Sequence, residues 1–467
     1  MLYPFHKASY KLGDRLLNPE ERVVVTTRSG PKEPQRIAGH LGVSANQPEL
    51  LIGHSLHSDE EYTPTFQTRN ALAQEQYSRY LLNYRSPDGQ TQFGSGLKGR
   101  VVYLVHTYSK QFDPQALAMM NQMIAATAKY NGAEAVVLLA YTLNYSAQER
   151  GVHDTDHPRM QSQTALFKAD GQAPMAGLLL QQYAMAGVDT IITPHCHAPR
   201  DLERMCAEVN EKLAPLRDSN PGSTMRYQIR FVEVDLAPMV GLFVSDFGKR
   251  NLEFDLSDGG RNVLFMAPDV GAEDFTRQAR LCSGLENSAL AVMDKQKSAD
   301  NANIKMLGLT HSDNLSDERG IDGMYIFLTD DCIRSGMTME RNIQALSGMN
   351  IDGIVRDPKI RGKPAKVVVY ATRTNFAGAS TKILTTPAID HIVITNADPR
   401  GYNNTGPIYN KTQMIWINFM MAEAARAVER GEDPNAILTP EYIRDHDFLK
   451  VDVPHGHRLK LPEREIL

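Results

Sequence analysis

MYIFLTDDCIRSGMTM, residues 324–339, is the stretch on which the reading of this chain turns. Tyr325 to Leu328 is a short apolar run suited to a buried strand, and Asp330 and Asp331 follow it at once. Ser335, Gly336 and Thr338 then make a small polar turn before a helix expected from about Met339. A strand that runs into such a turn and opens a helix suits an anion. The first N–H groups of the helix have no partner within it, and its dipole favours negative charge there. The hydroxyls of Ser335 and Thr338 add donors. A phosphate alone has no use for two carboxylates, whereas ribose hydroxyls donate to them. The segment therefore predicts a loop for a sugar that carries a phosphate. The plainer reading is an ordinary strand–turn–helix in which Asp330 and Asp331 only cap and solvate.

The rest of the chain narrows the class. Its 467 residues are enough for two or three domains. A hydrophobic share of 42% and a charged share of 22% are those of a globular protein. The net charge of −5, with no long Lys/Arg run, argues against a nucleic-acid partner. No apolar run approaches transmembrane length, and the opening MLYPFHKASYKLGDRLL lacks the apolar centre of a signal peptide. Cys196, Cys206, Cys282 and Cys332 show no CxxC spacing, as expected of reduced thiols in a cytosol. A cytoplasmic protein with no membrane partner is the expectation.

Apolar runs read as strands at 101–105, 135–140, 189–193, 263–267, 289–293, 324–328, 366–371 and 391–395. Helical patterns lie between or after them at 115–130, 173–186, 273–286, 338–348 and 412–430. Continuous apolar strands with intervening helices predict parallel sheets covered on both faces. The strands up to about residue 200 and those from about 262 to 400 have similar layouts, which predicts two α/β domains of one type. Polar stretches at 62–99, 150–172 and 200–230 interrupt this pattern, the last carrying a charged helix and then the loop RDSNPGSTMR.

The acidic loop resembles the phosphoribosyl-binding loop of the type I phosphoribosyltransferase fold, where two acidic residues precede a T-G-x-T-like turn; Ser335 stands for the first Thr. Five further segments fall in an order that resembles the ribose-phosphate pyrophosphokinases, or PRPP synthetases, over roughly residues 28–430. HSDEE at 57–61 resembles the family's adenine-holding F-S-D-G-E segment, with His57 for the stacking Phe and with Asp59 and Glu61 retained. YSAQERG at 145–151 resembles the Y-x-R-Q-D-(K/R) segment that contacts the ATP phosphates. Gln148, Glu149 and Arg150 match in kind, and Ala147 replaces an arginine. ITPHCHA at 192–198 resembles the segment carrying D-L-H-A, with His197 in the place of the magnesium-binding His and His195 in that of the Asp. Taken without the resemblance, H-C-H also admits a zinc site, for which no further ligands are evident at local spacing.

MAPDVGAEDFTRQAR at 266–280 resembles S-P-D-x-G-G-x-x-R-A, with Asp269 suited to magnesium or ribose and Gly271 to a close backbone approach. MDKQKSADNANIK at 293–305 resembles the catalytic flexible loop D-K-R-R-x-x-x-N, so Lys295 and Lys297 become the catalytic candidates. YATRTNFAGAS at 370–380 resembles Y-A-T-H-G-x-F-S-G-x-A, with Arg373 for His.

The resemblance implies two type I phosphoribosyltransferase-like domains, each a mostly parallel sheet flanked by helices. The first would be residues 1–230, the ATP side, completed by 405–467; the second would be 231–404, the ribose-phosphate side. It implies transfer of the diphosphoryl group of ATP to the 1-hydroxyl of ribose 5-phosphate, giving PRPP and AMP. Asp330 and Asp331 would orient the ribose, and Ser335, Gly336, Met337 and Thr338 would cradle its 5-phosphate. His197 and Asp269 would help hold Mg2+. A homo-oligomer with an ATP site shared between subunits is also implied. Arg334 stands where the family has Asp. It adds positive charge beside the phosphate and keeps open a larger ribosyl acceptor such as ADP-ribose. A regulatory homologue without catalysis and a transferase that consumes PRPP also stay open.

Overall fold

The computed structural model describes residues 17–18, 21–27, 33–43, 51–56, 62–67, 83–85, 91–93, 97–108, 113–146, 173–297, 304–333, 336–346, 358–374, 376, 384–398 and 406–452. The described residues of Met1–Val234 and Asn418–Ile437 form one compact unit, and those of Asp235–Ile417 and Leu438–Leu467 form the other. The resemblance assigns everything from 405 on to the first unit; only the segment around the helix Asn418–Arg430 returns there.

The first unit runs β1 (Arg22–Thr26), α1 (Glu33–His40), β2 (Leu51–Leu56), β3 (Tyr62–Gln67), β4 (Asn83–Arg85), β5 (Thr91–Phe93), β6 (Val101–His106), α2 (Pro114–Tyr130), β7 (Ala135–Ala140), α3 (Met175–Met185), β8 (Thr190–Pro194), α4 (Pro199–Ser219) and β9 (Arg230–Val234). Its main sheet has the order β1-β6-β7-β8-β9, with every neighbouring pair parallel. Parallel strands need crossovers, and α2, α3 and α4 supply them. β6 and β7 are buried at every position, which is why they read as unbroken apolar runs. Asp113 starts α2 by accepting from the N–H groups of Gln115 (2.8 Å) and Ala116 (2.9 Å), with Pro114 at the first helical position.

Two buried ion pairs tie this unit together. Lys129 Nζ lies 2.7 Å from Asp189 Oδ2, and that oxygen also accepts from the N–H of Val136 at 2.7 Å. Arg22 donates Nε and NH2 to the two oxygens of Glu429, at 2.8 and 2.7 Å, and the hydroxyl of Tyr103 donates to the same carboxylate. Through that bidentate pair the helix Asn418–Arg430 is held to β1 and β6.

The second unit contains α5 (Ala237–Leu242), β10 (Val263–Ala267), α6 (Glu273–Cys282), β11 (Ala289–Lys297), β12 (Ile304–Asp313), β13 (Tyr325–Ile333), α7 (Met337–Leu346), β14 (Lys366–Thr374), β15 (His391–Thr395), β16 (Thr412–Trp416) and β17 (Lys450–Asp452). The sheet order is β12-β11-β10-β13-β14-β15-β16-β17, parallel except at the two edges, where β12 and β17 run antiparallel to their neighbours. Alternate residues serve alternate layers. Leu264, Met266, Ile326 and Leu328 join the core with Met339, Ile343 and Leu346 of α7. Phe265 and Phe327 meet edge-on, Phe327 faces Phe243 beyond α5, and Phe275 of α6 stacks on Tyr370 at 6.0 Å. Gly241 lets α5 pass close to α6: a Cβ there would stand 2.6 Å from the carbonyl oxygen of Ala279.

These are the α/β sheets flanked by helices that the apolar pattern predicts. Three readings need correction. The strand expected to end at Leu328 continues through Asp330 and Asp331 to Ile333, because β14 pairs with it as far as Ile333↔Thr374. The segment 293–305, expected as a loop, is strand as far as Lys297 and again from Ile304, paired as an antiparallel ribbon. The helix expected over 412–430 begins at Asn418, and Thr412–Trp416 is a strand beside β15.

Candidate functional site

Ligands of open α/β sheets gather beyond the carboxyl ends of the strands, and β10 and β13 are adjacent there. Just past β10, Asp269 takes an extended conformation and accepts from the N–H of Gly271 at 2.9 Å, which starts the short turn into α6. On β13, Thr329 and Thr276 of α6 place their hydroxyls 2.5 Å apart in the buried layer beneath. Thr276 donates onward to the carbonyl of Ala272 at 2.7 Å, so Thr329 is the donor of the pair. This bond anchors β13 to α6 directly before Asp330.

Asp330 and Asp331 differ in their surroundings. The N–H of Asp331 donates to Asp330 Oδ1 at 2.8 Å. Burial, then the negative charges of Asp331 and Asp269, push the Asp330 carboxyl well above its ordinary value of 3.8. Asp331 instead meets a cation. Arg373 NH2 of β14 donates to Asp331 Oδ2 at 2.8 Å, with the two side chains 6% and 17% exposed.

Beyond the acidic pair, Gly336 has φ of 77°, a conformation that costs glycine little and other residues much. The carbonyl of Gly336 accepts from Glu340 N–H at 2.8 Å, so α7 begins at this turn, with Met337 and Thr338 in its first turn. The amino end of a helix thus lies directly after the two carboxylates. Arg334 and Ser335 lie outside the described residues.

Lys295 and Lys297 occupy alternate positions of β11, opposite Met306 and Ile304 of β12. β11 pairs with β10 only from Ala289 to Val292; beyond that point it pairs with β12 alone. The ribbon that carries both lysines therefore extends past the carboxyl end of β10. Its stem is fastened by charge: Arg277 of α6 bonds Asp313 at 3.2 Å and Glu273 at 2.7 Å, and His311 lies 3.2 Å from Asp313. Nothing in the local sequence signals that network, since Arg277 and Asp313 are 36 residues apart and join only through the ribbon.

In the first unit, β8 leads into the segment that carries His197, which is exposed before α4. The loop backbone is pinned to β9: Cys196 N–H donates to Glu233 Oε1 at 2.8 Å and His195 N–H to Val234 O at 3.0 Å. His57, Asp59, Glu61, Gln148, Glu149 and Arg150 lie outside the described residues. A further titratable group escapes a sequence reading, where it is only a polar end to an apolar run. His106 closes β6, fully buried, and burial lowers its pKa to about 4.

Among the described residues, no group of three or more His, Cys, Asp or Glu side chains could hold a metal ion. Mg2+ does not need one: it takes few carboxylates and keeps several waters. The donor chemistry fits that ion, because Asp330 is costly to ionise beside Asp331 and Asp269, and a cation relieves such crowding. Among the described residues no helix is long and apolar enough to cross a membrane.

Comparison with known proteins points the same way as the motifs. No family model matches the chain. It is 26% identical over 179 residues to a ribose-phosphate pyrophosphokinase of Pasteurella multocida (strain Pm70), a match covering 38% of this chain and 49% of that one. A ribose-phosphate pyrophosphokinase of Haemophilus ducreyi is 27% identical over 177 residues, covering 38% and 48%. The chain thus spans about half the length of the curated relatives it matches. Among solved structures, phosphoribosylpyrophosphate synthetase from Mycobacterium smegmatis shares the fold, with a TM-score of 0.55, 13% identity, and coverage of 88% of this chain and 99% of that one.

Proposed function

We propose that this chain is a ribose-phosphate diphosphokinase, which transfers the β,γ-diphosphoryl group of ATP to the 1-hydroxyl of ribose 5-phosphate and releases PRPP and AMP. The observation that carries the reading is the run from Asp330 and Asp331, through the left-handed turn at Gly336, into the amino end of α7, with Asp269 alongside. Carboxylates for sugar hydroxyls followed by a helix start for a phosphate is the arrangement a ribose 5-phosphate requires.

The reaction needs positioning and charge neutralisation more than a protein nucleophile. The sugar's 1-hydroxyl oxygen bonds the β-phosphorus of ATP and gives its proton to solvent, while the bond from that phosphorus to the α,β-bridging oxygen breaks and AMP leaves with that oxygen. In this reading Asp330 and Asp331 orient the ribose, and Ser335, Gly336, Met337 and Thr338 hold its 5-phosphate. Lys295 and Lys297 stabilise charge on the moving group. Asp269 and His197 are proposed for Mg2+ on the resemblance alone; when bound, the ion would neutralise phosphate charge. His57, Asp59, Glu61, Gln148, Glu149 and Arg150 are proposed for ATP on the resemblance alone, and a homo-oligomer with a shared ATP site is proposed on the same ground. One sequence feature favours a second reading: Arg334 adds a cation beside the phosphate, as an acceptor with a diphosphate, such as ADP-ribose, would use.

The test is AMP release from ATP and Mg2+ with either acceptor. Release with ribose 5-phosphate supports the first reading; release only with ADP-ribose supports the second; none with either overturns both. Lys295→Ala should lower kcat by roughly 10²–10³ with the fold intact.

A further inference from the structure

We propose that Arg373 is a positioning residue for the acceptor: it fixes the Asp331 carboxylate in place and thereby sets how tightly this chain takes a ribose phosphate. The inference rests on the ribose-phosphate reading of the acidic loop and extends it to a residue of the neighbouring strand.

The geometry is specific. Arg373 belongs to β14, where it is in register with Cys332 of β13, and its NH2 reaches Asp331 Oδ2 at 2.8 Å. Both side chains are largely enclosed, at 6% and 17% exposure, so the bond is shielded from solvent and salt. A charge-assisted hydrogen bond of this length restricts the carboxylate to one orientation. Its partner carboxylate is oriented differently, from its own chain, by the N–H of Asp331 on Asp330 Oδ1. The restraints on the acidic pair thus include two unlike ones, one local and one from the next strand.

The charge balance gives Arg373 a second effect. Asp331 and Asp269 act together on Asp330, and Arg373 places a cation on Asp331 within this group of carboxylates. A neutral residue at 373 takes this bond from Asp331 while its like-charged neighbours remain, so an acceptor for a sugar hydroxyl loses one of its orienting contacts. A lysine keeps the charge and loses the planar fork, so it restores the balance better than the orientation. Position 373 is where the resemblance predicts His, and a His would not reach with the same donor geometry.

The test titrates the full-length chain calorimetrically with ribose 5-phosphate in Mg2+. It compares wild type with Arg373→Gln, Arg373→Lys, Asp331→Asn and the Arg373→Gln/Asp331→Asn double variant, with thermal melting alongside. Arg373→Gln is expected to weaken binding about tenfold, the scale of one lost oriented hydrogen bond, and Arg373→Lys to recover part of it. In the Asp331→Asn background the same change at 373 should have no further effect, which a purely structural role would not produce. Unchanged affinity in Arg373→Gln overturns the proposal, as do independent, additive losses in the double variant. If the single Gln variant fails to fold, the comparison of the double variant with Asp331→Asn still decides, because it removes both charges together. Absence of binding by wild type overturns the ribose-phosphate reading itself, and is told apart by appearing before any substitution.

Discussion

His106 turns the burial of one imidazole into a measurable pH profile. It ends β6, wholly enclosed, and its pKa in the folded chain is about 4. In the unfolded chain the ordinary value of 6.5 applies. Above pH 6.5 the ring is neutral in both states and nothing is lost. As the pH falls below 6.5, the unfolded chain binds a proton that the folded chain refuses, so stability falls with pH and goes on falling until about pH 4. The linkage amounts to about 2 kcal/mol at pH 5 and about 3 kcal/mol at pH 4. Carboxylates elsewhere add their own acid loss, so the quantity to measure is a difference between two proteins. His106→Gln keeps a polar side chain of similar size and cannot titrate. Urea unfolding of both proteins, followed at about pH 7.5 and about pH 5, should show the wild type losing about 2 kcal/mol more than the variant. Parallel losses in the two proteins would refute the argument, as would an imidazole titration near the ordinary 6.5 in the folded wild type.

Asp330→Asn should raise the melting temperature at neutral pH while weakening ribose 5-phosphate binding. The raised folded pKa of Asp330 means that ionisation above 3.8 costs stability, which an amide avoids; a lower melting temperature contradicts this. Asp189→Asn strands the buried Lys129 and should destabilise the first unit by about 3–5 kcal/mol in chemical unfolding. Gly241→Ala should cost about 1–3 kcal/mol, since its Cβ would meet backbone atoms of Ala279, Cys282 and Ser283 at 2.6 to 2.7 Å; an unchanged melting temperature would show that α5 and α6 separate freely.

The buried strands were legible because burial on both faces leaves an unbroken apolar run, as in β6, β7 and β10. Legibility failed where polarity and strand coincide. Asp330 and Asp331 look like the end of a strand, yet pairing with β14 carries the strand past them. The ribbon holding Lys295 and Lys297 is stabilised by antiparallel backbone pairing at the edge of the sheet, past the end of β10, and its charged composition imitates a loop. TQMIW at 412–416 is an apolar run that periodicity alone cannot assign, and contact with β15 decides it. At the candidate site the acidic pair and the turn glycine announced themselves by residue type. Arg373 was visible as a departure from the resembled pattern, but its partner depends on the register of two strands that lie far apart in the chain.

Diphosphoryl transfer from ATP to a sugar, as proposed for the acidic loop, leaves a distinct signature in the phosphorus NMR spectrum of the full chain incubated with ATP, Mg2+ and ribose 5-phosphate. AMP and a new diphosphate on the sugar should appear in equal amounts and only when the sugar is present. Formation of ADP with a singly phosphorylated product, or an unchanged spectrum, would contradict the proposed transfer.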